Sequence, residues 1–176
     1  MTRKYLTDSP ALEIDRSVDN LSPDRVLVVT DKNVEKIVLP RLKDSSVVSE
    51  APRFAMTPGE TEKNLATVIK VWEKLEEIGA TRKSLVLNIG GGVVTDLGGF
   101  AASTFKRGIG CINLPTTLLA AVDAAIGGKT GINFMGLKNE IGTFALPLAV
   151  MPLMSLFRYL PEYGKKKAVY DLHHDR

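Results

Sequence analysis

The sequence predicts an α/β fold, a Rossmann-like parallel sheet with helices on both faces. Three observations carry that reading. Short apolar runs recur along the chain without polar alternation, as strands covered on both faces require. Amphipathic segments separate those runs, in the rhythm of strand, helix, strand, helix. A glycine triplet stands where one run ends and a helical pattern begins, the place where such sheets bind ligands.

The elements follow in order. Residues 25–30 form the first buried strand, and a short helix is expected over residues 33–42. Residues 53–57 make a weaker strand. The clearest helix spans residues 61–78. There Leu65, Val68, Ile69, Trp72, Leu75 and Ile78 fall at helical spacing, and Gly79 stops the helix. Trp72 lies on that stripe and reads as core, not as a ligand-stacking ring. Residues 84–89 form a second buried strand, followed at once by Gly90-Gly91-Gly92 and a helix over residues 93–105. A third strand, residues 111–114, runs into Pro115, and residues 116–126 read as a helix.

Composition agrees with one domain and little more. The chain has 176 residues, and its 44% hydrophobic content with only 6% aromatics implies a core built from Val, Ile, Leu and Ala. A net charge of +3 is too small to imply a nucleic-acid partner. The single cysteine, Cys111, excludes an internal disulfide and a cysteine-based zinc site, and its apolar neighbours make it a buried structural thiol. The first residues carry no apolar signal region, and no apolar stretch reaches membrane length. A cytoplasmic protein without membrane contact is expected.

The chemistry concentrates between Gly90 and Gly142. In Gly90-Gly91-Gly92-Val93-Val94-Thr95-Asp96 the missing side chains let a phosphate approach the backbone. The helix dipole and free N–H groups then favour its charge. A glycine triplet alone fits a tight turn without ligand equally well. Thr116 and Thr117 place two hydroxyls past another strand end. Asp123 puts a charge inside an apolar helix. Gly127-Gly128-Lys129 is a candidate phosphate-clasping loop ending in a cation.

Taken together, these pieces resemble the sugar-phosphate cyclase family, most of all its 3-dehydroquinate synthases. The matching segments are Gly90 through Ala102, Lys106-Arg107-Gly108, Leu114-Pro115-Thr116-Thr117, Val122 through Asn133, and Leu137-Lys138-Asn139-Glu140-Ile141-Gly142. Looser matches are Thr30-Asp31-Lys32-Asn33 and Pro58-Gly59-Glu60-Thr61-Glu62-Lys63.

The resemblance implies NAD as cofactor. Gly91, Gly92 and Val93 would lie against its pyrophosphate, with Asp96 in contact. Asp31, Asn33, Gly59, Glu60 and Lys63 would hold the adenosine end, and Thr116, Thr117 and Lys138 would add contacts. Asp123, Lys129 and Asn139 would face a small-molecule sugar-phosphate substrate, Lys129 near both ligands. Arg107 would reach the substrate phosphate in the neighbouring subunit of a homodimer. The implied reaction is the NAD-dependent cyclisation of 3-deoxy-D-arabino-heptulosonate 7-phosphate to 3-dehydroquinate, with phosphate elimination. Inosose-type and valiolone-type cyclases share the motifs, and an orphan NAD-binding or dimerising module is the non-catalytic alternative.

Two departures follow the matching region. Pro152-Leu153-Met154 stands where the family has an acidic residue and a threonine. After Glu162 the sequence no longer follows the family's helical domain, whose zinc or cobalt ligands are therefore absent here; His173 and His174 on the tail are not read as a metal site. Residues 1–160 are thus expected to form the NAD-binding domain and residues 161–176 a divergent tail. The piece alone should be inactive and should expose an apolar patch between Phe134 and Phe157.

Overall fold

The computed structural model describes residues 3–4, 9–121, 125 and 127–152 of the chain. Its strands are β1 (Arg3–Lys4), β2 (Val26–Asp31), β3 (Arg53–Met56), β4 (Leu85–Gly90), β5 (Gly110–Pro115), β6 (Lys129–Phe134), β7 (Leu137–Phe144) and β8 (Ala149–Val150). Its helices are α1 (Pro10–Leu21), α2 (Lys32–Ile37), α3 (Ser46–Glu50), α4 (Leu65–Glu77) and α5 (Gly92–Thr104). Six strands form one sheet in the order β1-β8-β5-β4-β2-β3. Every pairing in it is parallel. Strands β6 and β7 form a separate antiparallel hairpin.

The continuous apolar runs are buried on both faces, as the sequence requires. On one face Val28, Leu87 and Ile112 pack with Ile14 and Val18 of α1, Val34 of α2, Leu42 just after it and Val48 of α3. On the other, Leu27, Val29, Val86 and Cys111 pack with Val68, Val71 and Leu75 of α4 and Leu97 and Phe100 of α5. Successive strand residues therefore serve opposite cores. Burial pushes the Cys111 thiol up to about 12, which suits a structural, unreactive side chain.

Several elements differ from the sequence reading. Helix α1 went unread, although Pro10 at its start and Ile14 and Val18 one turn apart mark it. The helix expected over residues 33–42 divides: α2 ends at Ile37 and a 3-10 turn takes Leu39–Leu42. Pro40 has no N–H to continue the α-helical ladder. Helix α4 starts at Leu65 because the Asn64 side chain accepts the Thr67 N–H at 3.0 Å, fixing the N-cap there. Its buried face is Thr67, Val68, Val71 and Leu75, so Leu65 and Ile69, placed on the stripe from spacing, are exposed. Trp72 is half-buried against the α5 core, and its indole N–H donates to the Ala101 carbonyl at 3.1 Å. The β6–β7 hairpin was not foreseen as strands. Most of the expected helix over residues 116–126 lies outside the described residues, although 118–121 are helical.

Helix α3 is held by a carboxylate from another element. Asp15 accepts from the Ser46 N–H at 3.0 Å, the Val47 N–H at 3.3 Å and the Ser45 hydroxyl. Burial raises its pKa, but these hydrogen bonds outweigh it and hold the carboxyl below its ordinary value. A depressed folded pKa stabilises the fold above the unfolded value of about 3.9 and loses that contribution as pH falls through the folded pKa. Asp15→Asn should therefore lower the melting temperature at pH 6, with the difference shrinking toward pH 2.5 in thermal scans. An undiminished difference at acid pH would count against the capping role.

Candidate functional site

The chain leaves β2 outward to β3, then crosses back to β4 on the other side of β2. The carboxyl ends of β2 and β4 thus flank a topological switch point, where doubly wound sheets take ligands. The residues singled out from sequence lie along this edge. Asp31 ends β2, Gly59 and Glu60 follow β3, Gly91 and Gly92 follow β4, and Thr116 and Thr117 follow β5. Gly59 has φ +124°, a conformation suited to glycine.

The start of α5 differs from its neighbours. Helices α2, α3 and α4 begin on side-chain caps from Asp31, Ser45 and Asn64. Helix α5 begins on Gly91, with no side-chain cap and no acidic residue in its first turn. Its leading N–H groups have no intrahelical partner, and the dipole there is positive. A Cβ on Gly91 would come within 3.3 Å of the Thr117 methyl, a tight contact that the glycine avoids. The geometry fits the phosphate-cradling role expected of Gly91, Gly92 and Val93.

Asp31 is already used by the fold. Its Oδ1 accepts from the Asn33 N–H at 2.9 Å and the Val34 N–H at 3.0 Å. Asn33 is exposed beside it. One oxygen of Asp31 caps α2, leaving the other at the strand end.

Lys63 is drawn in a direction the sequence did not indicate. Expected beside Asp31 and Asn33, it is 4% exposed, and its Nζ lies 2.6 Å from Asp96 on α5. The same ammonium donates to the Asn139 side-chain oxygen. Two residues expected at the cofactor, Lys63 and Asp96, and one expected at the substrate, Asn139, therefore meet through one buried ammonium.

Asp96, Lys129 and Asn139 line one cavity of about 380 Å³, together with Thr130, Thr143, Phe144 and two hairpin glycines. Helix α5 supplies one wall and the β6–β7 hairpin the other. The hairpin packs closely because Gly99 faces Thr130, where a Cβ would approach its methyl to 2.7 Å. Lys129 and Lys138 are exposed cations on the hairpin. Gly128, expected to clasp phosphate, has φ +68° and abuts Leu146 instead.

Arg107 does not join this cavity. It is exposed, with φ +69°, beyond the far end of α5. Along 13 residues of helix that end lies about 20 Å from the glycine turn. Asp123 lies outside the described residues, as do His173 and His174. Among the described residues no group of three His, Cys, Asp or Glu could hold a metal ion. No described helix is long and apolar enough to cross a membrane.

Three contributing residues went unread in the sequence. Asn133 bridges the loop before α4 to the hairpin. Asn88 and Asn113, paired across β4 and β5 at 2.9 Å, anchor the segment after Thr117 through the Ala125 carbonyl at 3.2 Å. Buried asparagines in apolar strands were the available signal.

The apolar surface expected after Phe134 is present. Met135, Leu137, Phe144 and Leu146 are 87%, 57%, 90% and 66% exposed.

Comparison with known proteins places this geometry among relatives. Residues 53–167 match the family described as 3-dehydroquinate synthase N-terminal. The 3-dehydroquinate synthase of Parabacteroides distasonis is 46% identical over 138 residues, which is 78% of this chain and 39% of that protein. That of Thermococcus kodakarensis is 48% identical over 144 residues, covering 82% of this chain and 41% of the relative. The chain thus spans about two fifths of the length of these relatives. Among solved structures, 2-epi-5-epi-valiolone synthase from Streptomyces hygroscopicus with NAD+ and Zn2+ bound superposes with a TM-score of 0.84 at 25% identity, over 96% of this chain and 47% of that one. 2-Deoxy-scyllo-inosose synthase complexed with carbaglucose-6-phosphate, NAD+ and Co2+ gives 0.84 at 24% identity, over 94% and 46%.

Proposed function

We propose, from the premise that this chain belongs to the 3-dehydroquinate synthase family, that it forms the NAD-binding half of such an enzyme. The reaction is the conversion of 3-deoxy-D-arabino-heptulosonate 7-phosphate to 3-dehydroquinate with loss of phosphate. The observation that carries the reading is the uncapped, glycine-opened start of α5 at the switch point, with Asp96, about one turn further along the same helix, lining a cavity together with Lys129 and Asn139. Identity of 46% and 48% to 3-dehydroquinate synthases, against 24% and 25% to the inosose and valiolone cyclases, favours this substrate over theirs.

The N–H groups of Gly92 and Val93 hold the cofactor pyrophosphate. Asp31, Asn33, Glu60, Thr116, Thr117 and Lys138 would contact the rest of the dinucleotide. Bound NAD supplies reversible hydride removal from a carbinol carbon. Lys63 neutralises Asp96, so the carboxylate can stand in the site without repelling the anionic ligands. Lys129 offers an ammonium to the substrate's phosphate or carboxylate, and Asn139 fixes a hydroxyl. Asp123, outside the described residues, is assigned to the substrate by the family resemblance alone. Arg107, too far along α5 to serve its own glycine turn, serves the neighbouring subunit of a homodimer. A divalent metal belongs to the part of the enzyme for which this chain's described residues offer no ligand set. Residues 1–160 act as the cofactor domain, with 161–176 outside it, and the chain alone releases no phosphate.

Titration of the chain with NAD tests the reading. Saturable binding is expected, and Gly91→Val, which fills the approach beside Thr117, should weaken it by at least about tenfold without altering the circular dichroism. No binding by the native chain, or equal binding by the variant, would sink the proposal. Phosphate release from the heptulosonate phosphate with NAD and zinc present would overturn the claim that the chain is inactive by itself.

A further inference from the structure

We infer that Asn133, to which no role attaches in the reading above, is a positioning residue that holds Asn139 and the loop before α4 in one geometry. The inference rests on the proposal that Asn139, Lys63 and Glu60 serve the ligand site.

The hairpin register makes Asn133 exceptional. Ile132 pairs with Ile141, but Phe134 pairs with Leu137. One residue of β6, Asn133, therefore faces three of β7: Lys138, Asn139 and Glu140. A bulge of this kind bends its strand and re-aims side chains, and bulges cluster beside active sites. Here the bulged residue Asn139 is also left-handed, with φ +54°. Such a conformation persists only where its surroundings enforce it.

Asn133 supplies that enforcement from both ends of its amide. Its Oδ1 accepts the Asn139 N–H at 3.0 Å, which satisfies the backbone donor that the bulge takes out of the ladder. Its Nδ2 donates to the Glu60 carboxylate at 2.9 Å. Its own N–H donates to the Lys63 carbonyl at 2.8 Å. Lys63 then closes the circuit by donating to the Asn139 side chain. One half-buried asparagine thus joins the Glu60–Glu62 turn to the bulge. No other side chain type provides an acceptor and a donor at these two ends with this length.

The two ends of the amide can be separated by substitution. Asn133→Asp keeps the acceptor for Asn139 and loses the donor to Glu60. Asn133→Ala and Asn133→Leu lose both, the leucine while keeping bulk. Amide hydrogen exchange read by NMR on the full chain is the first measurement. The Asn139 amide should exchange about tenfold faster or more in the alanine and leucine variants. It should stay near the native rate in the aspartate variant, with Leu87 and Ile112 of the main sheet unchanged in all. NAD titration is the second: the alanine and leucine variants should bind at least about fivefold more weakly than native chain.

Equal Asn139 exchange in native and alanine chains overturns the inference. Faster exchange with unchanged NAD affinity overturns it too, because the bond would then hold structure without serving the site. Absence of NAD binding by the native chain is a different result. It removes the functional reading, while the exchange rates still decide whether Asn133 holds the bulge.

Discussion

Gly98→Ala should destabilise the protein by about 3 kcal/mol, although in an exposed helix the same change stabilises by about 1 kcal/mol. Gly98 lies in the interior of α5, against β4. A Cβ there would fall 1.8 Å from the Asn88 Oδ1 and 2.7 Å from its Cγ. Asn88 cannot swing aside. It is fully buried, and its Nδ2 donates to the Asn113 Oδ1 at 2.9 Å. Its own Oδ1 has no hydrogen-bond partner among the described residues, so the site already carries an unsatisfied acceptor. The methyl must either lift α5 from the sheet or break the asparagine pair, and both disturb the glycine turn about two turns upstream. Urea titration should show a lower midpoint with little change in slope. The double-mutant cycle makes the cause specific. In an Asn88→Ala background the Gly98→Ala change should become nearly neutral, a coupling of about 2 kcal/mol or more. An unshifted or raised midpoint for the single variant would refute the packing described.

Lys63→Met should destabilise by a similar amount, roughly 3 kcal/mol, through electrostatics instead of volume. Methionine keeps the bulk of the stem. It leaves the Asp96 carboxylate, 19% exposed, without the ammonium 2.6 Å away, and takes the donor from Asn139. Because the pair is sheltered from solvent, 1 M salt should not reproduce the loss in the native chain. Exchange of the β7 amides should accelerate, since the lysine ties the hairpin to α5. The companion variant Lys63→Met/Asp96→Leu should recover most of the stability, as replacement of a buried ion pair by apolar groups often does. Cofactor binding should remain impaired in both variants. If the single variant melts like the native chain, the buried pair contributes nothing and Lys63 is free for another role.

The layered fold was legible because buried parallel strands write themselves as continuous apolar runs. Residues 25–30, 84–89 and 111–114 coincide with β2, β4 and β5 to within one residue at each end. The glycine turn was legible for a similar reason: a strand that ends in glycines before a helical run allows few structures. Helix α4 was found but mis-started and rotated. Its boundary depends on one Asn64 hydrogen bond, and its buried face depends on which neighbours arrive from α5 and β3. Helix α1 was missed because its apolar residues are sparse. The β6–β7 hairpin was missed because Gly131 and Gly142, which pair across it, and the exposed Phe134 and Phe144 break the alternation that marks strands.

The sequence by itself determined the class of fold, the strand end that opens onto a ligand, and the family, since each rests on residues contiguous along the chain. Tertiary structure alone decided which of those residues work together. Lys63, read with Asp31 and Asn33, is paired with Asp96 and Asn139, partners 33 and 76 residues away. Asn133 gains its role only because the hairpin register skips at that position. Buried charges and bulges take their meaning from neighbours that folding supplies, and no local pattern announces them.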